Sequence, residues 1–133
     1  MNNQINNSPK ENKDLISLKL NSENIVEIEL SPALSQIRKK DLQYINEQIC
    51  SLGGGRKMGA YISFSGFVAL DRSAKKYRAT PEYAKYRLAN AFLIDTFSKV
   101  LLYNFYFDAD TSEVPVKSFT TKPVALEWLN TFS

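Results

Sequence analysis

The sequence predicts an α/β domain, and three observations in its C-terminal third carry that reading. An apolar run, Leu88–Ile94, is followed by an amphipathic segment, Phe97–Phe107; a second short apolar run, Val114–Phe119, then leads into Ala125-Leu126-Glu127-Trp128-Leu129. Strand, helix, strand, helix in that order is the pattern of strands joined by crossover helices. No motif of comparable specificity for chemistry accompanies it.

The elements before this region fit the same class. Leu15, Ile16, Leu18 and Leu20 open the folded part, Asn21-Ser22-Glu23-Asn24 supplies turn chemistry, and in Ile25–Leu30 the apolar Val26, Ile28 and Leu30 alternate with Glu27 and Glu29. That predicts a half-exposed hairpin with the two carboxylates on its solvated face. Leu42, Ile45, Ile49 and Leu52 recur at helical spacing, which predicts a helix over 37–52 with one face on a sheet. Gly53-Gly54-Gly55 then ends it by supplying left-handed conformations. A phosphate cradle needs the opposite order, strand before the glycines and helix after.

Residues 59–65 alternate large apolar with small or polar groups, as a strand does, and Asp71–Tyr77 reads as a short helix. Thr80-Pro81 opens a further helical turn, because Thr is a good N-cap and Pro suits the first helical position. Leu88–Ile94 is apolar enough for a central strand covered on both faces. Asp95 or Thr96 caps the Phe97–Phe107 helix, and Thr120 or Thr121 with Pro123 starts the last one. There Ala125, Trp128, Leu129 and Phe132 form a single core-facing stripe.

Length and composition bound the rest. With 133 residues, 44% hydrophobic and 23% charged, the chain suits one ordinary globular domain over 14–133. Met1–Lys13 is rich in Asn, Lys and Glu with almost nothing apolar to bury, so a disordered arm is expected there. A net charge of +3, with its cations spread along the chain, speaks against a nucleic-acid binder. The single cysteine, Cys50, lies among apolar helix positions and reads as a buried thiol. No segment approaches the ~20 apolar residues of a membrane span and no leader is visible, so a cytoplasmic location is expected.

The order strand, strand, helix, strand, short helix, strand, helix, strand, helix, closing on Phe119-Thr120-Thr121-Lys122-Pro123-Val124-Ala125-Leu126-Glu127-Trp128-Leu129, resembles the small bacterial proteins with the SpoIIAA-like fold. These share the architecture of STAS domains and, more distantly, of CRAL-TRIO lipid-binding domains. The resemblance covers residues 14–133 and implies a mixed sheet of about five strands with helices packed on it. In STAS anti-sigma-factor antagonists it would also imply a phosphorylatable serine after the third strand, in an Asp-Ser-Ser-Gly-like motif. Here the region reads Ser63-Phe64-Ser65-Gly66-Phe67 and then Asp71-Arg72-Ser73, so the motif is absent, and Ser65 and Ser73 are candidates by position alone. A phosphate on Ser73, if that residue caps the short helix, would meet Arg72, Lys75 and Lys76; an ordinary cap beside a solvated basic face is the plainer reading.

For function, the chain has no histidine and no nucleophile, phosphate or metal motif, which speaks against an enzyme and implies no cofactor. Asp95 would lie a full helix away from Asp108 and Asp110, and Asp108-Ala109-Asp110-Thr111-Ser112 has the composition of a loop, so the three read as loop and cap residues rather than metal ligands. The expectation is therefore a non-catalytic protein-interaction or regulatory module. The alternative is a carrier or sensor of a lipid-like or small hydrophobic ligand, suggested by the many large aromatics. Helix Phe97–Phe107 carries apolar groups on a second face, Leu102, Tyr103, Tyr106 and Phe107, which predicts a homodimer interface ahead of a ligand pocket.

Overall fold

The computed structural model describes residues 11–66, 68–95 and 113–132. Strands β1 (Ile16–Leu20) and β2 (Ile25–Leu30) form the expected antiparallel hairpin, with Ile16 opposite Leu30 and Leu20 opposite Val26. The turn is built by Asn21, whose Oδ1 accepts the backbone N–H groups of Glu23 at 2.8 Å and Ile25 at 3.0 Å. Asn24 takes the left-handed conformation there, φ 63°, which asparagine tolerates better than most residues.

The chain then makes the short strand β3 (Gln36–Ile37), helix α1 (Lys39–Gly53) and strand β4 (Met58–Phe64). Leu42, Ile45 and Ile49 are buried along one stripe of α1, as their spacing requires. Gly54, at φ 64°, closes the helix in the left-handed region, and the Gly55 N–H donates to the Cys50 carbonyl at 2.9 Å. Strand β5 (Ala69–Leu70) pairs with β3, and two short helices follow, α2 (Arg72–Arg78) and α3 (Pro81–Ala84). Thr80 caps α3 as predicted, accepting the Tyr83 N–H at 3.3 Å. The cap of α2 is Asp71 rather than Ser73: its Oδ1 accepts the Ala74 N–H at 2.9 Å.

Strands β6 (Arg87–Leu93) and β7 (Val116–Phe119) and helix α4 (Lys122–Asn130), entered from Thr121, complete the described chain. The main sheet has five strands in the order β1-β2-β4-β6-β7; only β1 runs antiparallel to its neighbour, so the sheet is mixed, as expected. One face, bearing Val26, Ile28, Ala60, Ile62 and Phe92, joins the core formed with α1, α2 and α3. The other, bearing Ile25, Tyr61, Ala89 and Ala91, packs on Ala125 and Leu129 of α4. Each fully buried aliphatic side chain in these layers contributes about 1.5–3 kcal/mol.

Asn12–Leu15 is a 3-10 turn, and the Asn12 amide donates to Asp41 Oδ2 at 2.8 Å, so Asn12 packs on the start of α1; the rest of the expected arm, residues 1–10, lies outside the described residues. Cys50 is half-buried rather than core, because it sits beside the α1 stripe and borders a surface depression with Asn46 and Tyr86. The expected helix Phe97–Phe107, the interface residues Leu102, Tyr103, Tyr106 and Phe107, and Asp108 and Asp110 lie outside the described residues. No helix among the described residues is long and apolar enough to cross a membrane.

Candidate functional site

An irregularity in the sheet brings a charged side chain into the core. Met58 of β4 pairs with Arg87, but Gly59 pairs with Ala89, so β6 holds one extra residue at this point. Such a bulge reverses side-chain alternation and re-aims a residue. Arg87 and Asn90, three apart, therefore share one face, and the Arg87 Nη1 donates to Asn90 Oδ1 at 2.9 Å.

Arg87 is 5% exposed, and the side chains it donates to, Asn46 and Asn90, are neutral. Its Nε and Nη2 donate to Asn46 Oδ1 of α1 at 3.1 and 3.0 Å, and its guanidinium carbon lies 4.3 Å from the Tyr83 ring centroid. Asn46 in turn donates to the Tyr77 hydroxyl and the Tyr83 carbonyl, each at 3.3 Å. Asn90 donates to the Tyr83 hydroxyl at 3.0 Å, and the Tyr77 hydroxyl donates to Glu82 Oε2 at 2.8 Å. Burial and the Glu82 carboxylate push the Tyr77 hydroxyl up to about 12, so it remains a donor at neutral pH. Burial pushes the Arg87 guanidinium down from its ordinary value, and the charge of Arg78 adds to that push. Arginine nonetheless stays protonated in proteins, so this is a permanently charged group deep in the fold.

A cavity of about 50 Å³ opens beside this cluster, between the sheet and the helical layer. Ile28, Ile62 and Phe92 line it from the sheet, Leu42 and Ile45 from α1, and Arg78, Tyr83 and Arg87 are its polar lining among the described residues. No carboxylate lines it there. The arrangement suits binding: apolar walls for a compact body and fixed donors at one end.

The sites suggested by sequence lie elsewhere. Ser65 is exposed just after β4, and Ser73 is exposed on the first turn of α2 beside the exposed Arg72, Lys75 and Lys76. The Ser73 hydroxyl is already engaged: it donates to Asp71 Oδ1 at 2.7 Å and accepts the Lys39 N–H at 3.0 Å, tying α2 to the start of α1. The Ser73 bond, with that from the Ala74 N–H, holds the Asp71 carboxyl below its ordinary value. Glu27 is not a solvated carboxylate. It accepts from Lys122 Nζ at 2.9 Å and Asn21 Nδ2 at 3.0 Å, with Lys19 Nζ at 3.8 Å, on one side of a polar groove that also holds Tyr61. Glu29 is exposed as expected. Arg87 was missed because an arginine ahead of an apolar run reads as the residue before a strand. The signal available was the Thr80-Pro81 start, which places Tyr83 and Tyr86 immediately before it.

A family profile described as "Domain of unknown function (DUF7793)" matches residues 18–133, and the chain belongs to that family. No curated protein matches it. Among solved structures it is similar to an uncharacterized protein of the DUF3478 family with a SpoIIAA-like fold from Shewanella loihica. That likeness has a TM-score of 0.52 at 14% identity and covers 86% of this chain and 91% of the other. The fold is thus SpoIIAA-like, in agreement with the resemblance read from element order.

Proposed function

We propose that this protein is a non-catalytic regulatory module that binds a small, largely apolar ligand in the cavity between its sheet and helices α1–α3. The observation that carries the reading is the cavity lining, aliphatic and aromatic with Arg78, Tyr83 and Arg87 grouped among them. Donors fixed on a rigid strand and a capped helix orient a ligand without reacting with it. Binding there would bear on α1, β6 and α3 together, since Asn46 and Arg87 join all three.

A thermal-shift screen of small neutral and charged compounds, on the wild type and on Ile45→Phe, tests this. Compounds that raise the wild-type melting temperature and lose that effect when the cavity is filled support the proposal. An absence of hits, or hits that bind Ile45→Phe equally well, overturns it.

A second reading, docking of a protein partner, is favoured by a different observation. Arg38, Lys39 and Lys40 at the start of α1 adjoin Arg72, Lys75 and Lys76 of α2, because the Lys39–Ser73 bond holds the two helix ends together. This basic surface suits an acidic partner. Charge reversal at Lys40 and Arg72 that leaves co-purifying proteins unchanged would remove this reading.

A further inference from the structure

The hydrogen-bond inventory around Arg87 narrows what the cavity takes, on the assumption that the cavity is a binding site at all. A guanidinium has five N–H donors, and three of those of Arg87 are used, two on Asn46 and one on Asn90. The acceptor oxygens around it are already engaged: Asn46 Oδ1 takes two bonds and Asn90 Oδ1 takes one. The Tyr83 hydroxyl accepts from Asn90, and its own proton has no acceptor among the described residues. What remains at the cavity is a surplus of donors on a buried cation, with no carboxylate against that cation among the described residues. A buried charge without an opposite charge is costly by several kcal/mol. The group that relieves both deficits is an anion.

We infer that the cavity binds a small monocarboxylate with a compact apolar body, its carboxylate held by Arg87 and the Tyr83 hydroxyl and its carbons against Ile62 and Phe92. The Arg87 guanidinium, with two of its five N–H groups left over, matches a carboxylate in charge and in fork geometry. The size follows from the volume. About 50 Å³, against roughly 10–15 Å³ for one water, admits a body of roughly three to six heavy atoms. The apolar walls favour carbon over a second polar group, which separates this ligand from an inorganic oxyanion.

The test is a titration calorimetry series on the full chain with isobutyrate, its neutral isostere isobutyramide, and nitrate. Isobutyrate is expected to bind at least tenfold more tightly than either of the others. Tyr83→Phe is expected to weaken isobutyrate severalfold and leave isobutyramide unchanged, and Arg87→Met to abolish the difference between the two. Should Arg87→Met fail to fold, the wild-type ligand pair and Tyr83→Phe decide alone. Equal binding of isobutyramide and isobutyrate would overturn the anionic ligand while leaving the cavity as a binding site. Equal binding of nitrate would overturn the apolar body. If no compound binds and the cavity screen is also empty, the binding-site reading itself falls.

Discussion

Asn46 Oδ1 accepts two hydrogen bonds from Arg87, 3.1 Å from Nε and 3.0 Å from Nη2, across 41 residues of sequence. This pairing fastens α1 to the head of β6 and gives the buried cation a share of its solvation. Asn46→Leu removes those acceptors and leaves the charge in place, so a loss of about 3 kcal/mol in urea unfolding is expected, near the cost of orphaning a buried charged group. Exchanging both partners for apolar residues is far less costly than exchanging one. The double variant Asn46→Leu with Arg87→Met is therefore expected to be more stable than Asn46→Leu alone, with a coupling energy of about 2 kcal/mol. Strict additivity in that cycle would show that the two side chains do not depend on each other.

Two glycines are held for different reasons, and their alanine variants should separate them. A Cβ on Gly66 would lie 2.9 Å from the Pro32 carbonyl oxygen and 3.0 Å from its Cα, so two backbone segments would have to part. A destabilisation of about 1–3 kcal/mol is expected, as for overpacking. Gly54 has open space around it but a φ of 64°, so Gly54→Ala should cost about 1 kcal/mol from backbone strain alone. Chemical denaturation of both variants checks the order; a Gly66→Ala protein as stable as wild type would show that the Pro32 loop yields freely.

Ser73 and Ser65 make a matched pair on the surface. Ser73 links Asp71 to the Lys39 N–H, while Ser65 is exposed beyond the end of β4. Ser73→Ala is expected to lose about 1 kcal/mol, one net hydrogen bond's worth, and Ser65→Ala to stay within about 0.5 kcal/mol of wild type. Equal stabilities for the two variants would mean that the Ser73 tie between α1 and α2 contributes nothing.

Most of the fold was legible because it rests on local rules. The alternation in Ile25–Leu30, the stripe of Leu42, Ile45 and Ile49, the Gly54 stop and the Thr80-Pro81 start each stand where sequence placed them. The sequence offers Ser73 as a cap of α2 and reads Asp71 as part of the helix; Asp71 is the cap because it stands three residues ahead of the Ala74 N–H that its side chain accepts. The site was less legible, because it depends on long-range facts. The extra residue at the head of β6 exists only relative to β4, and it alone turns Arg87 toward Asn90. Glu27 likewise looked solvated because its partner Lys122 is 95 residues away.

That Glu27–Lys122 bond predicts how the fold responds to acid. Burial on its own would raise the Glu27 carboxyl, but the hydrogen bonds from Lys122 and Asn21 and the charges of Lys122 and Lys19 outweigh it and hold the carboxyl below its ordinary value of 4.5. A carboxyl depressed in the folded state binds its proton more readily when unfolded, so stability rises with pH across this titration. The contribution is complete above the ordinary value and is lost as pH falls through the depressed one. The pair is partly open to water, with 13% exposure at Glu27 and 45% at Lys122, so its worth at neutral pH is at most about 1 kcal/mol. Glu27→Gln should therefore be less stable than wild type in urea at about pH 7, with the gap shrinking as pH is taken progressively below the ordinary value of 4.5 and with the gap at pH 7 narrowing in high salt. A gap that persists unchanged at low pH would assign the effect to packing of the side chain against Tyr61 instead of to its charge.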